Sequence, residues 1–274
     1  VVTSDIPQNR GGTDAFVMKV SNTGRRLWVR QFGTSGNDGL EDVAMDSDGS
    51  VVAVGYVSGD FVQLQDFEPD TGAPKPEKRP SYVGQEDVFV TKFNNLGHMQ
   101  WAFQFGSKRD DRALCVALDS QGNPVVGGVV RHEFNSENTA RQPTGFVMTM
   151  SKHGFLDISK TPRVSSKMGE LMHTAVSNRQ NAVTKVAFPE ADGISSKQIT
   201  IGGFEQNAAT YPGTGQNIFV GHWQNDGAKT VKVLGANTRY CHLAELFFDS
   251  RHMLYMVGSL DIYTLVMVGA SGND

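Results

Sequence analysis

The stretch from Gly12 to Phe61 occurs a second time from Gly84 to Phe134, its landmarks displaced by 73 residues, the step from Asp14 to Asp87. Phe16 answers Phe89, Trp28 answers Trp101, Phe32-Gly33 answers Phe105-Gly106, Asp46 answers Asp119, Gly49 answers Gly122 and Gly55 answers Gly128. A tandem repeat of this length fixes architecture before any other feature, because each copy must build the same unit and bury it on a neighbour.

Within the repeat, segments such as Ala15 to Val20 and Val51 to Val57 are short, rich in β-branched residues, and apolar at nearly every position. Runs of this kind, ended by Gly, Asn and Asp, read as strands buried on both faces. The turns Asn22-Thr23-Gly24 and Asp46-Ser47-Asp48-Gly49 supply residues that tolerate left-handed backbone in tight hairpins. With the strands of a unit lettered A to D, one unit has A at Glu41 to Asp46, B at Val51 to Val57, C at Val88 to Phe93 and D at Gln100 to Phe105. The next has A at Arg112 to Asp119, B at Val125 to Val130, C at Phe146 to Met150 and D near Ile158 to Val164. A third is expected with A at Leu171 to Val176, B at Gln198 to Gly203, C at Ile218 to Trp223 and D at Lys229 to Leu234. A short helix from Met168 to Val176 is the competing reading for that first strand.

Partial units flank these three, with C at Ala15 to Val20 and D at Leu27 to Phe32 before them. After them come A at His242 to Phe248, B at Leu254 to Gly258 and C at Tyr263 to Val268. The chain therefore reads as one domain: a partial unit over 1–33, units over about 40–105, 112–164 and 170–234, and a partial unit over 242–274. The step from Asp46 to Gly55 recurs from Asp119 to Gly128 and from Asp249 to Gly258. The third pass is degenerate: its Trp is gone and its A–B turn is expected to swell over Ser177 to Lys197.

Four-stranded antiparallel units with apolar residues on both faces must stack on one another, and radial stacking gives an all-β fold, the β-propeller. The pattern D-A-F-V-x-K, G-x-x-x-W, F-G, D-x-x-G and V-x-x-G resembles the SBBP-type β-propeller repeat of bacterial surface and secreted proteins and some eukaryotic ones. That resemblance implies a ring of about seven blades, of which this chain is a partial view unless its ring is smaller, and a place outside the cell or at its surface. The G-x-x-x-W element is also similar to the tryptophan-docking repeats of quinoprotein dehydrogenases and related cofactor-free scaffolds. In those folds the Trp fills the space between blades, and the vicinal cysteines expected beside a quinone are missing here.

A net charge of −4 and a pI near 6.0 give no footprint for nucleic acid. No apolar run approaches the roughly 18 residues of a membrane-spanning helix, so membrane insertion is not expected. The amino-terminal VVTSDIPQNR lacks a starting Met and the layout of a secretion signal. Val1 reads as the interior of a strand and the last residues as the start of another hairpin, so a longer protein is expected. Cys115 and Cys241 hold unmatched places in the repeat and are expected as buried free thiols, and no Asn-x-Ser/Thr acceptor occurs.

Strand alternation puts the B–C and D–A connections on one rim. Three B–C connections are long, namely Ser58 to Glu86, Arg131 to Thr144 and Phe204 to Gln216, and long loops on a rigid scaffold are where recognition concentrates. The first holds four prolines between Phe67 and Tyr82 and is expected to be extended and stiff. The expected interaction face comprises Phe67, Tyr82, Asp38, Asp110, Asp111 and Arg131.

No serine-hydrolase elbow, zinc-protease helix, phosphate loop or paired C-x-x-C occurs. The Asp46 turn superficially resembles a calcium loop, yet Asp119-Ser120-Gln121-Gly122 at the same place is an ordinary turn. The D–A loops carry Asp38, Glu41 and Asp42, then Asp110 and Asp111. They read as solvated rim carboxylates, with Ca²⁺ as the one ion their oxygens could hold. His222 and His242 lack a third ligand for zinc. The leading expectation is a non-enzymatic scaffold with no cofactor that binds other subunits or domains of a larger surface protein or filament. The alternative is a carbohydrate-active hydrolase or lyase using Asp38, Glu41, Asp110 and Asp111 on a polysaccharide. Small-ligand binding in the channel stays open.

Overall fold

The computed structural model describes residues 9–61, 84–131, 143–154, 181–188, 198–206, 216–224, 229–234, 241–251 and 253–260. Among the described residues there are fifteen strands and no helix. Strands β1 (Ala15–Val20) and β2 (Arg26–Phe32) form a hairpin; β3 (Gly39–Met45), β4 (Val51–Val57), β5 (Asp87–Phe93) and β6 (Met99–Phe105) form a four-stranded sheet. A second sheet contains β7 (Arg112–Leu118), β8 (Pro124–Val130) and β9 (Thr144–Thr149). A third contains β10 (Asn181–Ala187), β11 (Gln198–Gln206), β12 (Gln216–Gln224) and β13 (Lys229–Leu234), and the last pair is β14 (Cys241–Phe248) with β15 (Leu254–Leu260). Each sheet is an antiparallel meander in chain order.

One expectation is corrected. The first strand of the third unit is β10, at Asn181–Ala187, not Leu171 to Val176, which lies outside the described residues together with the competing helix. Packing identifies it: β10 lies against β7, β8 and β9, just as β7 lies against β3, β4 and β5, and β14 against β10, β11 and β12. Register agrees, because β3, β7, β10 and β14 all carry a bulge at the same place, after Leu40, Ala113, Val183 and Leu243. A bulge adds one residue and bends its strand. The swollen turn is correspondingly shorter and lies between β10 and β11. The fourth strand near Ile158 and the last third strand at Tyr263 to Val268 fall outside the described residues.

The turns repeat as well as the strands. Gly24, Gly49, Gly97, Gly122 and Gly154 have φ between 79 and 84°, a region costly for any residue with a Cβ. In three turns a side chain caps the loop: Asn94 Oδ1, Asp119 Oδ1 and Asp249 Oδ1 each accept two backbone amides.

Apolar clusters fill the spaces between successive sheets. Phe32 of β2 packs on Phe89 and Phe93 of β5 at ring separations of 5.9 and 5.5 Å, with Phe61 at 4.7 Å from Phe89. Burying each such ring stabilises by about 1.5–3 kcal/mol. Between the next two sheets Val52, Val54, Val88 and Val90 meet Val116, Val126 and Phe146. Strands β5 and β8 are buried at every residue, as strands covered on both sides must be.

One glycine is demanded in each of the four described first-to-second strand pairs. Gly55, Gly128, Gly203 and Gly258 each leave a would-be Cβ about 2 Å from a carbonyl of the neighbouring first strand, at 2.1, 2.2, 1.9 and 2.2 Å. Their partners across the sheet are Phe89, Phe146 and Phe219 for the first three, and the rings of Phe146 and Phe219 lie over Gly128 and Gly203.

Candidate interaction face

The connections entering β3 and β7 are each built around a buried carboxylate. Asp38 accepts from the Thr34 amide and hydroxyl, and from the Ser58 amide at 3.0 Å. Asp111 accepts from the Ser107 amide and, at 2.7 Å, from the Arg131 amide. Each therefore ties its own D–A connection to the first residue of a B–C connection. Each of these two B–C connections is tied at its first residue by one carboxylate, Ser58 by Asp38 and Arg131 by Asp111. Both carboxylates are buried, at 2% and 0% exposure, so the expectation that they are solvated is corrected: the amides of two loops that cannot pair with one another require an acceptor there.

A second carboxylate stands beside each. Asp87 accepts from the Gly84 amide at 3.2 Å and from Gln104 Nε2 at 3.1 Å, and Gln104 in turn holds the Phe61 amide and the Gly59 carbonyl. Asp14 accepts from the Arg10 amide and from Gln31 Nε2. The glycine of the F-G pair follows from this crowding. A Cβ on Gly33 would lie 2.6 Å from Asp38 and 2.8 Å from Asp14, and one on Gly106 would lie 2.1 Å from Asp87.

Burial above all raises the Asp111 carboxyl from its ordinary pKa, and the charge of Asp87 adds to the rise, against the lowering effect of the Ser107 and Arg131 hydrogen bonds. Asp42 joins the first strands of two sheets: Oδ1 accepts from its own neighbour Val43 at 2.8 Å and Oδ2 from the Val116 amide at 2.9 Å. Nearby, Arg112 donates to Glu86 at 2.5 and 2.7 Å, approaches Glu41 at 3.5 Å, and lies 4.1 Å over the Tyr56 ring. The Glu86 hydrogen bond is the main reason its guanidinium is held still more firmly protonated.

The predicted face is thus only partly assembled. Asp38 and Asp111 are structural staples in separate connections, Asp110 is half-buried with its backbone bridged to Glu86, and Arg131 presents an exposed side chain from an anchored amide. Phe67 and Tyr82 lie outside the described residues, as does the side chain of His222, while His242 is exposed. Cys115 is free and buried, and burial pushes its thiol well up from the ordinary range. Among the described residues no group of three or more His, Cys, Asp and Glu is placed to hold a metal ion, and no helix is long and apolar enough to cross a membrane. Sequence reasoning missed Gln31 and Gln104 and the Arg112 cluster; the glutamines stand 73 residues apart, so the repeat carried a signal for them.

What the arrangement does is tie the first residue of each of these B–C connections to the D–A connection that carries the carboxylate.

No family model matches the chain. It is similar to the regulatory protein FlaEY of Caulobacter vibrioides (strain ATCC 19089 / CIP 103742 / CB 15), 32% identical over 119 residues, which is 43% of this chain. The matched part is 12% of that relative, so the chain spans a small fraction of its length.

Proposed function

We propose that the chain is a run of β-propeller blades of the SBBP-like kind. In this reading it works as a non-enzymatic scaffold that binds other protein subunits within a larger surface or filament assembly. The radial reading is supported by the way β7, β10 and β14 each lie on the first three strands of the sheet before them, the packing that wedge-shaped blades use around an axis. The scaffold reading is carried by the two buried carboxylates, Asp38 and Asp111, whose oxygens accept backbone amides at the loop roots. Connections anchored at their first residues, as Ser58 and Arg131 are by Asp38 and Asp111, give a scaffold fixed points from which recognition loops can extend.

A reducing-end assay on the full chain with a panel of soluble polysaccharides tests this. No release above buffer is expected. Release that disappears in Asp111→Asn and Asp38→Asn, with the variants still folded, would replace the scaffold by a carbohydrate-active enzyme.

A further inference from the structure

Charge is divided unevenly among the hairpins. Residues 15–32 carry Lys19, Arg25, Arg26 and Arg30 and no Asp or Glu; residues 88–105 carry Lys92 and His98 and again no carboxylate. From 144 to 154 the ionisable residues are Lys152 and His153. The β3–β4 hairpin is the reverse, with Glu41, Asp42, Asp46 and Asp48 and no cation, and the chain as a whole has a net charge of −4. The turns of the basic hairpins lie in series. Trp28 rests on Gly97 and donates to the Asn95 carbonyl, and Trp101 rests on Gly154 and donates to the Lys152 carbonyl, so each hairpin is laid on the turn of the next.

At the middle turn, 94–98, two cations are fixed by uncharged acceptors. Lys19 Nζ donates to Asn95 Oδ1, and Arg30 donates to the Gly97 carbonyl at 2.7 Å and to that of Leu96 at 3.5 Å. A carbonyl or carboxamide oxygen orients a cation without cancelling its net charge, so the field there stays positive. Arg25, His98, Lys152 and His153 are exposed along the same series of turns, and Leu96 stands at the tip, 67% exposed. The neighbouring turn brings Gly49 against Asn95, but its Asp46 is paired with Lys92 at 3.6 Å, leaving Asp48 to offset Lys19, Arg25 and Arg30. The fold does not require these bases. His98, Met99 and Phe103 hold the places of Arg25, Arg26 and Arg30 in the second copy, and the β5–β6 hairpin forms regardless.

From this we infer that the 94–98 turn and the cations around it form a docking surface for an acidic segment of a partner protein. Carboxylates of the segment pair with Lys19, Arg25 and Arg30, and an apolar side chain of the segment rests on Leu96. Arginine suits the first task because its planar fork meets a carboxylate through two hydrogen bonds. The apolar tip among the cations favours a polypeptide, which carries carboxylates and apolar side chains together, over a polysaccharide or phosphate backbone. The surface lies at the opposite ends of the strands from Asp38, Asp111 and Arg131, so a partner here is additional to any held by the B–C connections. It rests on the scaffold reading and adds the chemistry of one partner.

Fluorescence anisotropy of the full chain with a labelled peptide of alternating glutamate and leucine, at about 0.15 M salt, tests it. The wild type is expected to bind, more weakly as salt rises. Lys19→Gln/Arg25→Gln, which keeps a donor for Asn95, should bind about tenfold more weakly. Lys108→Gln/Arg109→Gln removes the same charge from exposed residues before β7 and should bind as the wild type does. Leu96→Ser should also weaken binding. Circular dichroism checks that the strands persist, and should the first variant lose them, Arg25→Gln alone carries the expected loss. A wild type that does not bind overturns the inference, and equal losses in the two double variants overturn it by reducing the effect to net charge. Dextran sulfate that displaces the peptide while binding more tightly, and loses its own binding in Lys19→Gln/Arg25→Gln, overturns the assignment to a protein. None of these results bears on polysaccharide cleavage, so the scaffold reading stands or falls separately.

Discussion

The junction between the β1–β2 hairpin and the β3–β6 sheet differs from the one between the β10–β13 sheet and the β14–β15 hairpin. The first has an aromatic cluster around Phe32 and Phe89, and Trp28, whose indole lies 2.7 Å from the would-be Cβ of Gly97 and whose Nε1 donates to the Asn95 carbonyl at 3.0 Å. Trp101 repeats this on the next sheet, over Gly154 and donating to the Lys152 carbonyl. The last junction is built mainly of aliphatic contacts among Ala187, Val220 and Leu246, with Phe248 and Phe204 only partly buried at its margins, and a partly exposed Lys185–Glu245 pair at 3.3 Å, worth about 0–1 kcal/mol. By register the Trp101 position, opposite Lys92, is held there by Thr230, opposite His222. Yet the bulge and the glycine persist in both regions. Sheet stacking therefore requires the backbone features, and the docked tryptophan reinforces a junction that other contacts already form.

That distinction can be broken by experiment. The largest expected effect is at Phe89, where truncation to Ala should cost about 3–5 kcal/mol in a denaturant titration. Phe16→Ala, at the same place in the repeat, should stay within about 0.5 kcal/mol because its side chain is 62% exposed. Equal losses would mean that the exposed face is covered. Next comes Gly55→Ala against Gly203→Ala: both place a Cβ about 2 Å from a carbonyl, and each should cost about 1–3 kcal/mol. A marked difference between them would show that the glycine rule belongs to one region only. Smaller still is Trp101→Phe, which keeps most of the ring and loses the bond to Lys152, about 1 kcal/mol by shift of the denaturation midpoint.

Much of the fold was legible because the repeat kept its landmarks wherever backbone geometry admits no substitute. Gly55, Gly128, Gly203 and Gly258 mark the second strands, and the turn glycines mark the hairpins. The third unit was misplaced at its first strand because it lacks both the Trp and the Asp-to-Gly spacing, while the bulge that identifies β10 leaves no residue type behind. The candidate face was less legible. An Asp in a loop looks the same in sequence whether it faces water or accepts two buried amides; only the second carboxylate and the F-G glycine, recurring at the same spacing, distinguished Asp38 and Asp111, and that crowding becomes visible once the chain is folded.

The smallest expected effect concerns those carboxylates and separates the two regions by pH. Asp111 has Asp87 beside it, whereas Thr144 and Asn217 take the place of Asp87 in the later sheets. Burial first, and then Asp87, hold the Asp111 carboxyl above its ordinary pKa. A folded chain that binds the proton more tightly than the unfolded chain gains stability that is full below the unfolded pKa, about 3.9, and is lost as pH rises through the folded one. Asp111→Asn removes that titration while also losing one of the two amide acceptors, an offset independent of pH. Melting temperatures of the two proteins, followed upward from about pH 3.5, should converge as the wild type loses its protonated form, then run parallel. Parallel curves throughout would show that Asp111 titrates as it does in the unfolded chain, and that its burial is fully offset by the Ser107 and Arg131 amides.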